Sequence, residues 1–222
     1  MLSYVFMKIL EMRPRSYDRR MEKVSRGRTR KIKEAVAELV PERGNVLEIG
    51  CGTGELAGLI VQRGCIVEGF DLSPSMVRAA AERREKENLR DKFSVKCMGV
   101  EGMDDFPDEN FDVVVATLAF SELNDNERRF ALKHAARVLR PGGRLIIADE
   151  VVPRSPMRRL VHSMARFPLL ALTYLVTGTS TRPLKDLSGE IEKAELTIQK
   201  ENRSQGDSFA LVVAIKKDKD RT

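Results

Sequence analysis

Asn45-Val46-Leu47-Glu48-Ile49-Gly50-Cys51-Gly52-Thr53-Gly54-Glu55 is the stretch whose reading decides the fold. Its first five residues, mostly aliphatic, read as a short buried strand. Three alternating glycines read as a loop, and Leu56, Leu59 and Ile60 then resume at helical spacing. A strand that passes into a helix through a glycine-rich loop is the first half of a βαβ unit.

The same rhythm continues downstream. Residues 65–70 read as a second strand ending at Asp71, and Ser73-Pro74 starts a helix running to about Glu87, with serine as cap and proline in the first turn. Phe93 to Met98 reads as a third strand and Val113 to Thr117 as a fourth, the latter apolar enough to be buried on both faces. Asp125 is expected to cap a helix from about Asn126 to Leu139, Pro141-Gly142-Gly143 reads as a tight turn, and Arg144 to Asp149 as a fifth strand. Upstream, Met21, Val24, Ile32, Ala35, Val36, Leu39 and Val40 predict one helix over 17–40, closed by Pro41 and Gly44. Strands alternating with helices predict an α/β, doubly wound, mostly parallel sheet. Leu196 to Lys200 and Phe209 to Ile215, joined around Gly206, predict a closing antiparallel hairpin. The expected organisation is one domain: a helical segment 1–44, a core 45–150, a Pro-containing helical insertion 151–186 lying over the site, and the hairpin 187–222.

Composition bounds what such a chain does. It has 222 residues, 42% apolar and 32% charged, a globular balance with room for a real core. Cys51, Cys65 and Cys97 include no C-x-x-C pair, which excludes a disulfide framework and a cysteine zinc site and fits a reducing, cytoplasmic setting. With His134 and His162 the only histidines, no metal site is expected. The apolar start meets Lys8 at once, without a cleavage site, and the longest uncharged run, Phe167 to Thr181, is 15 residues, short of the about 20 needed to span a bilayer. Net charge is +6, carried by residues 1–44 (12 Lys and Arg against 6 Asp and Glu) and 151–186 (6 against 1) around an acidic middle (14 against 19). Arg13, Arg15, Arg19, Arg20, Lys23, Arg26, Arg28 and Arg30 read either as a solvated helix face or as a rim attracting an anionic substrate, an acidic partner or a membrane surface. Nucleic acid is not expected, because stacking on single strands needs aromatics and the chain has no Trp and three Tyr.

Ligands of open α/β sheets bind at the carboxyl ends of the strands, where glycine lets the backbone pass close. Asp71 ends the second strand, 17 residues beyond Gly54, where a carboxylate can take both ribose hydroxyls. The glycines alternate rather than following G-x-G-x-x-G, and Glu48 and Glu55 flank them. Carboxylates there repel a pyrophosphate but suit a ligand with an ammonium and a sulfonium. The electrostatics favour S-adenosylmethionine over NAD.

Four blocks in order carry a resemblance: Val46 to Gly54, Asp71 to Met76, Phe106 to Asp112, and Arg137 to Leu145. Together they resemble the class I S-adenosylmethionine-dependent methyltransferases, near those of ubiquinone and menaquinone. The resemblance implies a seven-stranded Rossmann-like sheet, with Glu48 and Gly50 at the methionine amino group, Gly52 and Gly54 at the carboxylate side, Asp71 at the ribose, and Leu72 and Met76 flanking the adenine. Cys51, Val100 and Leu118 complete the expected cofactor wall. Val100 stands where the family often has an acidic residue, which leaves the adenine amino group to Glu101 or to backbone carbonyls. Ser121 to Asp125, Ala148 to Val151, Arg166 to Arg182 and Pro14 to Asp18 resemble a subfamily called corrinoid protein-associated methyltransferases, which implies a link to corrinoid methyl carriers.

A soft acceptor needs only orientation and exclusion of water, whereas an oxygen or carbon acceptor also needs a base. Candidates are Glu122, Asp149 and Glu150 at the ends of strands four and five, and His162 and Tyr174 from the insertion. The acceptor is a small molecule or a corrinoid protein. The rival readings are an S-adenosylmethionine-binding docking module without turnover and an NAD-dependent oxidoreductase.

Overall fold

The structure, a computed structural model, describes residues 17–160, 164 and 182–218. It contains α1 (Tyr17–Ser25), α2 (Arg28–Leu39), β1 (Asn45–Ile49), α3 (Glu55–Gln62), β2 (Ile66–Asp71), α4 (Pro74–Lys86), β3 (Phe93–Cys97), β4 (Phe111–Thr117), α5 (Asp125–Val138), β5 (Leu139–Glu150), α6 (Leu187–Lys193), β6 (Leu196–Ser204) and β7 (Phe209–Lys216). The strands form one sheet in the order β3-β2-β1-β4-β5-β7-β6, parallel except where β7 joins β5 and β6. The chain moves outward from β1 to β3 and returns to place β4 on the other side of β1, so the topological switch point lies between β1 and β4.

Alternation along each strand supplies two cores, one per face. Val46, Val113 and Val115 join the helices α1 to α4 on one side, and Leu47, Ile49, Val114 and Ala116 join α5 and α6 on the other. Glu48 lies on the first face, with Val46, at the carboxyl end of β1.

Four expectations need correction. Residues 17–40 are two helices, because Arg26 (φ 54) and Gly27 (φ 75) are both left-handed and turn the chain between them. Asn124, not Asp125, caps α5: its side chain accepts from the Asn126 and Glu127 amides while Glu127 bonds back to the Asn124 amide. Pro141-Gly142-Gly143 lies inside β5 as a bulge; Leu139 pairs with Phe111 and Arg144 with Val113, so β5 carries extra residues across one step of β4. A short helix, α6, capped by Asp186, precedes the hairpin and packs with α5 through Arg128, which bridges Glu190 and Asp125.

Gly54 is a glycine whose replacement the packing resists. It is left-handed at φ 73, and a Cβ there would lie 2.9 Å from the Phe93 ring. Gly54→Ala is expected to cost about 2–3 kcal/mol, the left-handed penalty plus the clash. Gly27→Ala, equally left-handed but facing open space, should cost about 1 kcal/mol. Urea unfolding of the two variants tests the ranking.

Candidate functional site

A cleft of about 500 Å³ opens at the carboxyl ends of β1, β2 and β4. Its floor is the loop after β1, pressed against the loop after β4: a Cβ on Gly50 would come 2.6 Å from the Ala119 Cβ. Glycine is therefore required there by close approach as well as by φ 68.

Asp71 holds two loops together. Its Oδ2 accepts the Gly52 amide at 2.9 Å and its Oδ1 the Ser73 amide at 2.8 Å. The carboxylate is thereby fixed on the cleft wall, while Ser73 caps α4 by accepting the Met76 amide. A carboxylate held on a cleft wall is an acceptor for ligand hydroxyls.

Glu48 is 3% exposed, faces the same cleft, and its Oε2 makes no hydrogen bond. Burial pushes its carboxyl up to about 8; the Lys33 ammonium opposes the shift, the Asp71 charge adds to it, and the Ala57 amide donates to the carboxylate. The Cys51 thiol is also driven upward, by burial and then by Glu48 and Asp71, so it stays neutral at the cleft wall. An unpartnered carboxylate oxygen on a cavity wall is a place for a ligand cation or donor.

The other expected cofactor residues divide. Gly50, Cys51, Gly52, Leu72, Met76, Val100, Glu101 and Leu118 line the cleft. Leu72 is 74% exposed and Met76 buried, so they bracket the opening by β2 from its outer and inner sides. Val100 and Glu101 both reach the end beyond β3. Gly54 does not line the cleft; it seats α3 against Phe93.

Of the five candidate bases, Glu122 lines the cleft, and Glu150, 1% exposed, does not. Asp149 is fully buried and does not: its Oδ2 accepts the Ser121 amide at 3.1 Å and its Oδ1 the Glu150 amide at 2.7 Å. Burial raises its carboxyl to about 6, against the pull of those bonds. It braces the segment that carries Glu122. His162 and Tyr174 lie outside the described residues. His134 stacks on Phe130 with ring centroids 4.1 Å apart on α5.

Sequence reasoning missed the contribution of the N-terminal helices. Tyr17, Thr29 and Lys33 line the cleft. Asp18 accepts from Thr53 Oγ1 at 2.7 Å and from Arg83, whose Nε also donates to the Thr53 carbonyl at 2.9 Å. Arg19, Arg20, Lys23, Arg26, Arg28 and Arg30 are exposed, so the segment shows its charge to solvent while its other face closes the site. Among the described residues no cluster of His, Cys, Asp or Glu suits a metal ion, and no helix is long and apolar enough to cross a membrane.

Residues 46–143 match a family model described as a methyltransferase domain. A phosphatidylethanolamine N-methyltransferase of Cereibacter sphaeroides is 34% identical over 152 residues, covering 68% of this chain and 71% of that protein. A ubiquinone/menaquinone biosynthesis C-methyltransferase of Shewanella frigidimarina is 30% identical, over 56% of this chain and 50% of that protein. The chain spans about half the length of most of the curated relatives it matches. A methyltransferase solved in complex with the Trm112 methyltransferase activator of Haloferax volcanii superposes with a TM-score of 0.68 at 18% identity, over 92% of this chain and 94% of that one, a likeness of fold.

The buried carboxyls make stability depend on pH. Glu48 is raised from 4.5 to about 8 on folding, so the stability it contributes is whole below about 4.5 and is lost as pH rises through about 8. Asp149 acts in the same direction only up to about 6. The urea midpoint of the ligand-free protein is expected to fall between about pH 6 and about pH 8, and Glu48→Gln to flatten that fall. An unchanged slope in the variant would place the titration elsewhere.

Proposed function

The chain belongs to the class I S-adenosylmethionine-dependent methyltransferases, whose cofactor is S-adenosylmethionine, and from that footing we propose that it transfers the sulfonium methyl group to an acceptor approaching over Glu122. The observation that carries the reading is Glu48, a cleft carboxylate with an unpartnered oxygen, beside an Asp71 fixed by two amides. The residues present fit the cofactor: Glu48 would take its ammonium, Asp71 its ribose hydroxyls, and Met76 and Leu72 the faces of its base. When bound, it supplies a methyl group on a positively charged sulfur, already activated for in-line displacement.

What the chain must add is orientation and exclusion of water, and positioning can supply roughly 7–11 kcal/mol of a barrier. Ile49, Phe70, Val100 and Leu118 give the cleft a buried apolar wall. Glu122, at the end of the loop after β4, accepts a proton from acceptors that must lose one. The glycines alternate rather than following G-x-G-x-x-G, which argues against NAD.

The acceptor is a small molecule or a corrinoid protein, and the reading links the chain to corrinoid methyl metabolism in the cytoplasm. Of the residues that carry the corrinoid-associated resemblance, Ser121, Asp149, Glu150 and Arg182 meet at one place beside the cleft. The Arg182 amide donates to the Ser121 carbonyl at 2.8 Å, the Ser121 amide to Asp149, and the Leu184 amide to the Glu150 carbonyl at 2.9 Å. They make one acceptor-side frame with Glu122 at its edge.

Because Glu48 is protonated at neutral pH without ligand, binding of S-adenosylmethionine at pH 7 should release close to one proton, read by calorimetry in buffers of differing ionisation enthalpy. NAD should give no heat. Saturable binding of NAD, or no binding of S-adenosylmethionine, would sink the reading. With a corrinoid protein or a small acceptor that must be deprotonated, Glu122→Gln should lower S-adenosylhomocysteine formation by about 10²–10⁴-fold and leave cofactor affinity unchanged. Cofactor binding without turnover on any acceptor would instead favour a docking module.

A further inference from the structure

The cofactor's methionyl end presents an ammonium and a carboxylate on one carbon, and the loop after β1 is poorly placed to serve the carboxylate. The Cys51 amide donates to the Phe70 carbonyl at 2.9 Å, the Gly52 amide to Asp71 Oδ2 at 2.9 Å, and the Gly54 amide to the Cys51 carbonyl at 2.9 Å. These three loop donors are already used, and Gly54 does not line the cleft.

Two other donors face it from α2. Thr29 and Lys33 lie four residues apart, on one face of the helix, and both line the cleft. Thr29 is 4% exposed and its Oγ1 finds no hydrogen-bond partner. A buried hydroxyl left without a partner is costly, and folded proteins rarely keep one that nothing uses. Lys33 is the one Lys or Arg on the cleft wall among the described residues; its Nζ lies 2.6 Å from Glu55 Oε2, with the side chain 14% exposed. After burial, its charge is the strongest influence on the Glu48 carboxyl, so the two lie at the same end of the site.

We propose that Thr29 and Lys33 form the seat for the α-carboxylate of S-adenosylmethionine, beside Glu48, which takes the α-ammonium. This rests on the functional reading above. The Thr29 hydroxyl donates to the carboxylate. An ammonium has three donors, so Lys33 can serve the ligand while keeping Glu55. Ammonium and carboxylate share a carbon, so their seats must lie in one cleft, and Lys33, Thr29 and Glu48 line the same one. The N-terminal segment thus contributes a ligand subsite of its own.

Calorimetry with two ligands tests this. S-adenosylhomocysteine carries the amino-acid end; 5′-methylthioadenosine shares the nucleoside and the sulfur but lacks it. Thr29→Val should weaken S-adenosylhomocysteine about tenfold, leave 5′-methylthioadenosine unchanged, and leave the ligand-free urea midpoint unchanged or higher, since an unpartnered hydroxyl is removed. Lys33→Met combined with Glu55→Gln, which removes the ion pair as a unit, should weaken S-adenosylhomocysteine about 10–100-fold, again without effect on 5′-methylthioadenosine. Equal losses for both ligands, or no loss for S-adenosylhomocysteine, would overturn the seat. A wild-type protein that binds neither ligand would overturn the functional reading itself, and the two failures are told apart by that control.

Discussion

Burying a carboxyl group with one oxygen unpartnered is a cost that a folded chain normally avoids. Glu48 carries it because β1 leaves it no other place: alternation along the strand turns Val46 and Glu48 to the face covered by α2 and α3, and the strand ends one residue later at the glycine loop. The surroundings manage this cost by holding the proton on the group and by keeping Lys33 near. The cleft is in this sense prepared for a cation, and the fold tolerates the local instability through two large apolar cores on either side of the sheet. Asp71 faces the same space and is held by two backbone amides. One carboxyl is thus poised to change its charge on binding, and the other is a fixed fitting.

Much of this was legible in the residues themselves. The parallel core, the hairpin and the cofactor end of the sheet follow from signals that are local: aliphatic runs of five to seven, glycines at strand ends, and Ser73-Pro74 opening a helix. Glu48 and Asp71 stand out in the sequence because a carboxylate inside or ending an aliphatic strand costs free energy unless a partner or ligand satisfies it. The elbow at Arg26-Gly27 was harder, since the apolar spacing runs on across it and only the left-handed backbone breaks the helix. The bulge in β5 was hidden for a similar reason: Pro141-Gly142-Gly143 has turn chemistry, and the pairing of Leu139 and Arg144 with β4 on either side keeps it within a strand.

The site residues that escaped the sequence are those set by long-range contact. Thr29 and Lys33 belong to a helix whose charge pattern reads as a solvated surface, and nothing local marks the side that turns inward. Asp149 is the opposite case. Its place at the end of a central strand marks it as chemical, yet both its oxygens are occupied by amides of the segments it joins. Position at a strand end identifies a residue near the chemistry; the direction of its hydrogen bonds decides whether it faces the ligand or the frame.

Asp18, Thr53 and Arg83 come from three separate stretches of chain and meet in one small polar knot behind the glycine loop. Arg83 lies on α4, away from the cleft lining, and inspection of the cleft alone would pass it over. Yet it grips both the first described helix and the carbonyl of Thr53, so a change there is felt at two walls of the cleft together. Among kindred chains the identities at 18 and 83 are therefore expected to drift as a couple, and an isolated exchange at either would be paid for in the shape of the cofactor cradle.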